Sequence, residues 1–221
     1  ARPGQAGAPE GVLVFTANRG LCGGFNGNML KRARALLQEL KGAGSSTSLS
    51  AVGKKGIGAF RFEGVEVDRR YTQFGDRPGF AEASALAADF AGDFAAGKIR
   101  SLRLVFTHFK SAGEQKPVVV QVLPVPLSET AGSGAPEKGD GKGLPPLTSP
   151  GPGALLERLL PLWLALQFYR ALVESLACEQ VSRRIAMKAA TDNADEMIKS
   201  LTRDANRARQ SQITQEIAEI V

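Results

Sequence analysis

The chain has 221 residues, 43% of them hydrophobic and 23% charged, the proportions of an ordinary globular protein rather than a disordered one. A formal net charge of +6 invites a nucleic-acid partner, but the basic residues are scattered (Lys31, Arg32, Arg34; Lys54, Lys55; Arg183, Arg184) and aromatic residues do not interleave with them. No nucleic acid is therefore expected. Two cysteines, Cys22 and Cys178, stand far apart and form neither a CxxC pair nor a disulfide framework, which is the usage of a reducing compartment.

In chain order, residues 1–10 are rich in Ala, Gly and Pro and lack the apolar run of a signal peptide. Val12–Thr16 reads as a short apolar strand, followed by a glycine-rich turn and a helical pattern over Asn26–Leu40. Leu49–Val52 reads as a second strand, running into the turn Gly53-Lys54-Lys55-Gly56-Ile57-Gly58 and a short helix. Phe80–Ala96 is an alanine-rich helix. Leu102–Thr107 and Val118–Val122 are the strongest strands, able to pair as a hairpin across Lys110–Lys116. Alternating strand, turn and helix predicts a small, mostly parallel sheet covered by helices. Ser128–Gly153, rich in Gly, Pro and charge, reads as a flexible loop.

The last part of the chain follows different rules. All 25 glycines and all 12 prolines lie at or before Pro161. At their chain-wide frequency about ten would fall in residues 162–221, so their absence predicts one uninterrupted helix. Pro161 suits its first turn, where a missing N–H costs nothing. At 1.5 Å per residue the helix would run roughly 90 Å, longer than the domain the preceding residues can build. Leu155–Val173 is its greasiest stretch, but Glu157, Arg158, Pro161 and Arg170 interrupt it, so direct membrane insertion is not expected. Apolar or small residues recur at three- and four-residue spacing: Met187, Ala190, Ala194, Ile198, Leu201, Ala205 and Ala208. After a polar gap the pattern resumes at Ile213, Ile217 and Ile220. This is a coiled-coil seam with a closely approaching, alanine-rich face, and it needs a partner helix from outside this sequence or from a second copy.

Signs of catalysis are weak. Arg19-Gly20-Leu21-Cys22-Gly23-Gly24-Phe25-Asn26-Gly27 follows a strand and opens a helix, where phosphates bind. It has no GK[ST] ending, and GxGxxG spacing cannot be laid onto its glycines, so a tight structural turn is expected. His108 is the single histidine, which excludes an imidazole metal cluster, and no nucleophile elbow accompanies it. Trp163, Phe168 and Tyr169 read as packing of the long helix on the α/β domain. No cofactor is expected. The polar gap in the seam is more informative: Arg203, Arg207, Arg209 and Gln210 suit charge-assisted hydrogen bonds to acidic or carbonyl groups of a partner.

Several segments resemble the γ subunits of F-type ATP synthases. Ala189-Ala190-Thr191-Asp192-Asn193-Ala194, preceded by Met187 and Lys188, is similar to their C-terminal signature, as is Ala208-Arg209-Gln210-Ser211-Gln212-Ile213-Thr214-Gln215-Glu216. Arg19–Gly24 resembles the motif after the family's first strand, and Gly53-Lys54-Lys55-Gly56, Leu123-Pro124 and Tyr169-Arg170-Ala171-Leu172 match in order. Asn18 stands where many relatives carry aspartate, and Ser128–Gly153 looks like an elaboration of one lineage. The redox-regulatory cysteine insert of chloroplast relatives is absent.

The resemblance implies an α/β fold with a small, mostly parallel Rossmann-like sheet domain plus one very long C-terminal coiled-coil helix. The expected divisions are a foot over residues 1–127, a loop over 128–153 and the stalk helix over 154–221. It implies a non-catalytic central-stalk rotor that couples ion translocation to ATP synthesis or hydrolysis by rotation. The stalk tip would enter the ring of α and β subunits, with Arg209 and Gln210 at positions that engage a loop of one β subunit. The foot would meet the ε subunit and the c-ring. The seam partner would be the family's N-terminal γ helix, which this sequence begins after. The expected location is peripheral, on the cytoplasmic face of a bacterial cell membrane or the matrix side of the mitochondrial inner membrane. The residues by themselves also allow a coiled-coil scaffold protein with an α/β head, or a nucleotide-binding enzyme using the Gly20–Gly27 turn.

Overall fold

A computed structural model describes residues 7–125 and 151–220. Five strands form one sheet: β1 (Glu10–Phe15), β2 (Thr47–Val52), β3 (Arg69–Tyr71), β4 (Ser101–Phe109) and β5 (Gln115–Leu123). Three helices connect them, α1 (Phe25–Gly42), α2 (Lys54–Phe62) and α3 (Phe80–Ala95), and the long helix α4 spans Pro152–Ile220. The sheet order is β3-β2-β1-β4-β5, parallel except for the β4–β5 hairpin. The central strand β1 is buried along its whole length, which is why it reads as a continuous run rather than an alternating one.

The pleat sends alternate residues to two cores. Leu13, Phe15, Leu104 and Phe106 face α3 and α4, where Leu86, Phe90, Leu164 and Phe168 meet them. Val12, Val14 and Val105 face α1 and α2, where Met29, Ala33, Leu36 and Phe60 cover them. Helices therefore lie on both faces, as a mostly parallel sheet requires.

Two polar clamps hold strand ends. Glu10 is buried and accepts hydrogen bonds from Arg100, from Arg103 at 2.5 Å, from Ser45 at 3.1 Å and from Ser101 at 3.2 Å. Burial pushes the Glu10 pKa up, but the Arg100 bond and the Arg103 charge outweigh it and hold the carboxyl below its ordinary range. Asp93 on α3 likewise pairs with Arg69 of β3 and, at 3.2 Å, with Lys98.

The expected elements all form, with three differences. The strand β3 has no sequence signal, being three residues long and carrying Arg69 and Arg70. The Gly53–Gly58 segment is a turn only at Gly53, and α2 begins at Lys54. Pro161 does not open the long helix: α4 starts at Pro152, includes Gly153 and carries Pro161 in its interior. A proline there removes one i→i−4 bond, freeing the Glu157 carbonyl, but both residues are exposed and water can take it. The rest of the expected loop, residues 128–150, lies outside the described residues.

Candidate partner-binding surface of the long helix

At 69 residues, α4 is about 104 Å long. Its middle belongs to the head. Leu164, Ala165, Phe168, Ala171 and Leu172 form one apolar stripe, fully sunk beside α3 and the sheet. Phe168 sits 5.8 Å from Phe90, and Phe80 meets Tyr169 edge-on at 5.7 Å. Trp163, Phe168 and Tyr169 thus pack the helix on the domain, as expected.

Beyond this stripe α4 crosses the carboxyl ends of β1 and β4, the switch point where doubly wound sheets hold ligands. Here the helix takes that place itself. The Thr107 N–H donates to Ser175 Oγ at 3.4 Å, and the Cys178 thiol donates to the Thr107 carbonyl at 3.6 Å. His108 Nδ1 lies 2.6 Å from Glu174 Oε2. Ser182 donates to Gln115 Oε1 at 2.9 Å, and the Arg183 guanidinium donates to the Gly20 carbonyl at 3.4 Å. The space left between α4 and the ends of β1 and β2, lined by Phe15, Thr16, Phe74 and Leu172, is only about 40 Å³. That is room for a few waters and not for a nucleotide.

The glycine turns are structural in the same way. Gly23, in the left-handed region at φ 54°, lets the loop approach Ala186 of α4. A Cβ on Gly53, at φ 94°, would fall 2.0 Å from the Thr16 carbonyl oxygen, and one on Gly56 would fall 2.5 Å from Thr16 Oγ1. Thr16 uses this closeness: its hydroxyl donates to the Val52 carbonyl at 2.7 Å and accepts from the Gly56 N–H at 2.9 Å. Asn18 accepts from the Lys54 N–H at 3.1 Å and donates to the Phe74 carbonyl at 2.9 Å, a donation an aspartate could not make. Cys22 and Cys178, distant in sequence, share one buried cluster with Ala17 and Phe25 as free thiols. Burial pushes the Cys178 thiol up to about 11, so it is not a reactive thiolate.

From Met187 to Ile220 every residue of α4 is exposed, a projection of about 50 Å. At about 100° per residue, Met187, Ala190, Ala194, Ile198, Leu201, Ala205 and Ala208 fall on one stripe. Ile213, Ile217 and Ile220 do not continue it. Their stripe lies about 110° further round, because the five-residue step from Ala208 to Ile213 breaks the three-four rhythm. The expected single seam is thus two stripes on different faces. Arg203, Arg207 and Gln210 share the face opposite the first stripe, while Arg209 lies about 60° from that stripe, between the two apolar ones. Among the described residues none of these four side chains has an ion pair or hydrogen bond. Nearby polar side chains bond only along the helix, as Gln212 does to Glu216 at 3.1 Å.

The chain is thus a mostly parallel sheet domain packed on the middle of one helix that projects far beyond it. In fold the chain is similar to chains of the Euglena gracilis mitochondrial ATP synthase (OSCP/F1/c-ring, rotational state 3; TM-score 0.66, 19% identity, 97% of this chain and 71% of that one). It is also similar to a chain in the central stalk and c-ring of the Tetrahymena thermophila mitochondrial ATP synthase (TM-score 0.59, 21% identity, 86% and 80%). Residues 3–221 match the ATP synthase family. The chain is 45% identical to the ATP synthase gamma chain of Leptospira biflexa over 95% of its own length and 71% of that protein. It is 42% identical to that of Frankia casuarinae over 100% and 73%. The chain belongs to the ATP synthase gamma-chain family, and its role is that of a rotor subunit. Among the described residues no helix is long and apolar enough to cross a membrane.

Proposed function

We propose that residues 187–220 form the part of the rotor that works inside the ring of α and β subunits, and that this chain carries no catalytic site of its own. The observation that carries this reading is the long exposed reach of α4, apolar on two stripes and bearing arginines with no partner among the described residues. The stripe from Met187 to Ala208 is covered by a second stalk helix, the N-terminal γ helix of the family. Its alanines let two backbones approach closely. Ile213, Ile217 and Ile220, turned to another face, meet the ring lining near the tip. Arg203, Arg207, Arg209 and Gln210 bond acidic or carbonyl groups on β-subunit loops. Four side chains spread over two faces give the stalk a different contact with each β subunit around it.

Coupling then follows from linkage. A stalk whose orientation changes its contact energy with each β conformation biases nucleotide affinity, and nucleotide exchange biases the orientation by the same free energy. The head, with α4 filling its ligand crevice, serves as the foot that meets the ε subunit and the c-ring. The filled crevice, the buried Cys178 and the His108–Glu174 pair all support a chain without chemistry of its own. The location that fits is peripheral, on the cytoplasmic face of a bacterial membrane, in keeping with the bacterial relatives.

The test is Arg209→Ala in the assembled enzyme, read as ATP synthesis driven by an imposed ion gradient. Synthesis is expected to fall several-fold with assembly intact. Unchanged synthesis would remove Arg209 from torque transfer. A native pull-down of the tagged chain is expected to recover α and β subunits together with ε and the c-ring. Recovery of its own homo-oligomer alone would leave a coiled-coil scaffold instead.

A further inference from the structure

Beside the head, α4 carries a second apolar face. At about 100° per residue, Leu155, Leu159, Leu162, Leu166 and Val173 fall within about 60° of one another, on the side opposite Leu164, Phe168 and Ala171, which pack on the head. Each of the five is between 37% and 48% exposed. Single exposed leucines are ordinary, but four on one line of a helix are not.

The line does not stop at the head. Leu159, Leu166 and Val173 recur every seven residues, and the same count continues through Gln180 to Met187, Ala194, Leu201 and Ala208. The leucine face and the stripe of the projecting length are therefore one heptad seam, about 80 Å from Leu155 to Ala208. A strict seven-residue repeat drifts about 20° per heptad round a straight helix, so the seam stays on one partner when two helices wind left-handedly about each other.

One layer of the seam is polar. Gln180 takes one core position of the repeat and Arg183 the next, at the point where α4 leaves the head. The Arg183 guanidinium donates to Gln180 Oε1 at 3.1 Å, and Glu179 Oε1 at 2.6 Å and the Gly20 carbonyl hold it in place. A guanidinium can only donate, so the carbonyl of the Gln180 amide is taken and its NH2 is left, among the described residues, without an acceptor.

We propose that the second stalk helix packs along the whole seam from Leu155 to Ala208, and that Gln180, braced by Arg183, sets its register by donating to a polar side chain at the facing position. This rests on the reading that such a helix covers the stripe from Met187 to Ala208. Leucines and alanines accept a partner shifted by one heptad almost as well as the correct one. A slipped partner would bury the Gln180 amide against apolar side chains, which is how a single polar core residue fixes the register of a coiled coil.

The experiment places the photo-crosslinking residue benzoylphenylalanine at Leu166 and, in a second enzyme, at Leu201 of the assembled ATP synthase, and reads the joined peptides by mass spectrometry. Both links are expected on one stalk helix at sites roughly 35 residues apart, because five heptads separate the two positions. Enzyme that also carries Gln180→Leu is expected to show added sites about seven residues from the first ones. A Leu166 link to a different subunit, or no link there while Leu201 still joins the second stalk helix, overturns the continuous seam and leaves the rotor reading standing. Links to that helix from neither position overturn both. Sites unchanged by Gln180→Leu remove Gln180 from the setting of register.

Discussion

The two lengths of α4 make an instructive pair. Residues 163–183 and residues 187–220 belong to one unbroken helix, and both carry apolar residues at helical spacing. In the first, the apolar stripe and the polar side chains beside it are answered within the chain: Phe168 fills a pocket against Phe90, Glu174 meets His108, Ser182 meets Gln115 and Arg183 meets Gly20. In the second, Ile198 and Leu201 are about 60% exposed and, among the described residues, Arg203, Arg207 and Arg209 have no partner. Isolated helices gain little from propensity, and most helical stability comes from packing an amphipathic face. The first length is therefore part of a fold, and the second is what we propose to be one side of an interface. Unsatisfied pattern, rather than pattern itself, marks the functional surface.

Substitution of buried against exposed apolar residues should separate the two lengths most sharply. Phe168→Ala is expected to cost the head about 3–5 kcal/mol, read by chemical denaturation. Leu201→Ala, equally apolar in sequence, should change head stability by less than about 0.5 kcal/mol and show its effect only in recovery of assembled enzyme. A large loss of head stability from Leu201→Ala would erase the distinction.

The turns beneath the buried length give the next effect. Gly53→Ala places a Cβ against the Thr16 carbonyl at a positive φ and should cost more than about 1 kcal/mol, whereas Gly58→Ala, with open space around its Cβ, should stabilise slightly. Equal melting temperatures for the two variants would show that the turn relaxes freely.

Acid should produce the smallest effect, again confined to the head. Glu10, Asp93 and Glu174 have pKa values held below their ordinary range: burial raises each, but hydrogen bonds from Arg100, Arg69 and Arg170 respectively outweigh it. Groups depressed in the folded state add stability that is present above the unfolded values of roughly 4 and is lost as pH falls through the folded ones. The melting temperature of the head should thus drop below about pH 4, and Glu10→Gln should flatten that drop at some cost at neutral pH. A melting curve of the variant that falls with acid as steeply as wild type would take Glu10 out of the clamp.

Much of this was legible in the residues. Glycine and proline punctuation located α4, and the apolar runs located β1, β2, β4 and β5 together with the hairpin. Two elements were not legible. The strand β3 exists because β2 offers it an edge and Asp93 holds Arg69, neither of which is local. The helix also runs through Pro161, at the loss of one hydrogen bond to an exposed carbonyl that water can take. Residues 164–172 of α4 pack into the core of the sheet domain through contacts with α3 and the strands that no local pattern announces.

By itself the sequence determined the periodic content: four of the five strands, which helix outruns its domain, and where apolar residues recur along its far end. These depend on neighbours three or four positions away, a distance the chain carries with it. Only the tertiary structure decided which stripe of α4 is satisfied and that α4 occupies the sheet's ligand crevice. Those outcomes join residues some seventy to a hundred and sixty positions apart, as Thr107 with Cys178 and Gly20 with Arg183. The pairing arises when two surfaces compete for the same space, and no local rule contains that competition.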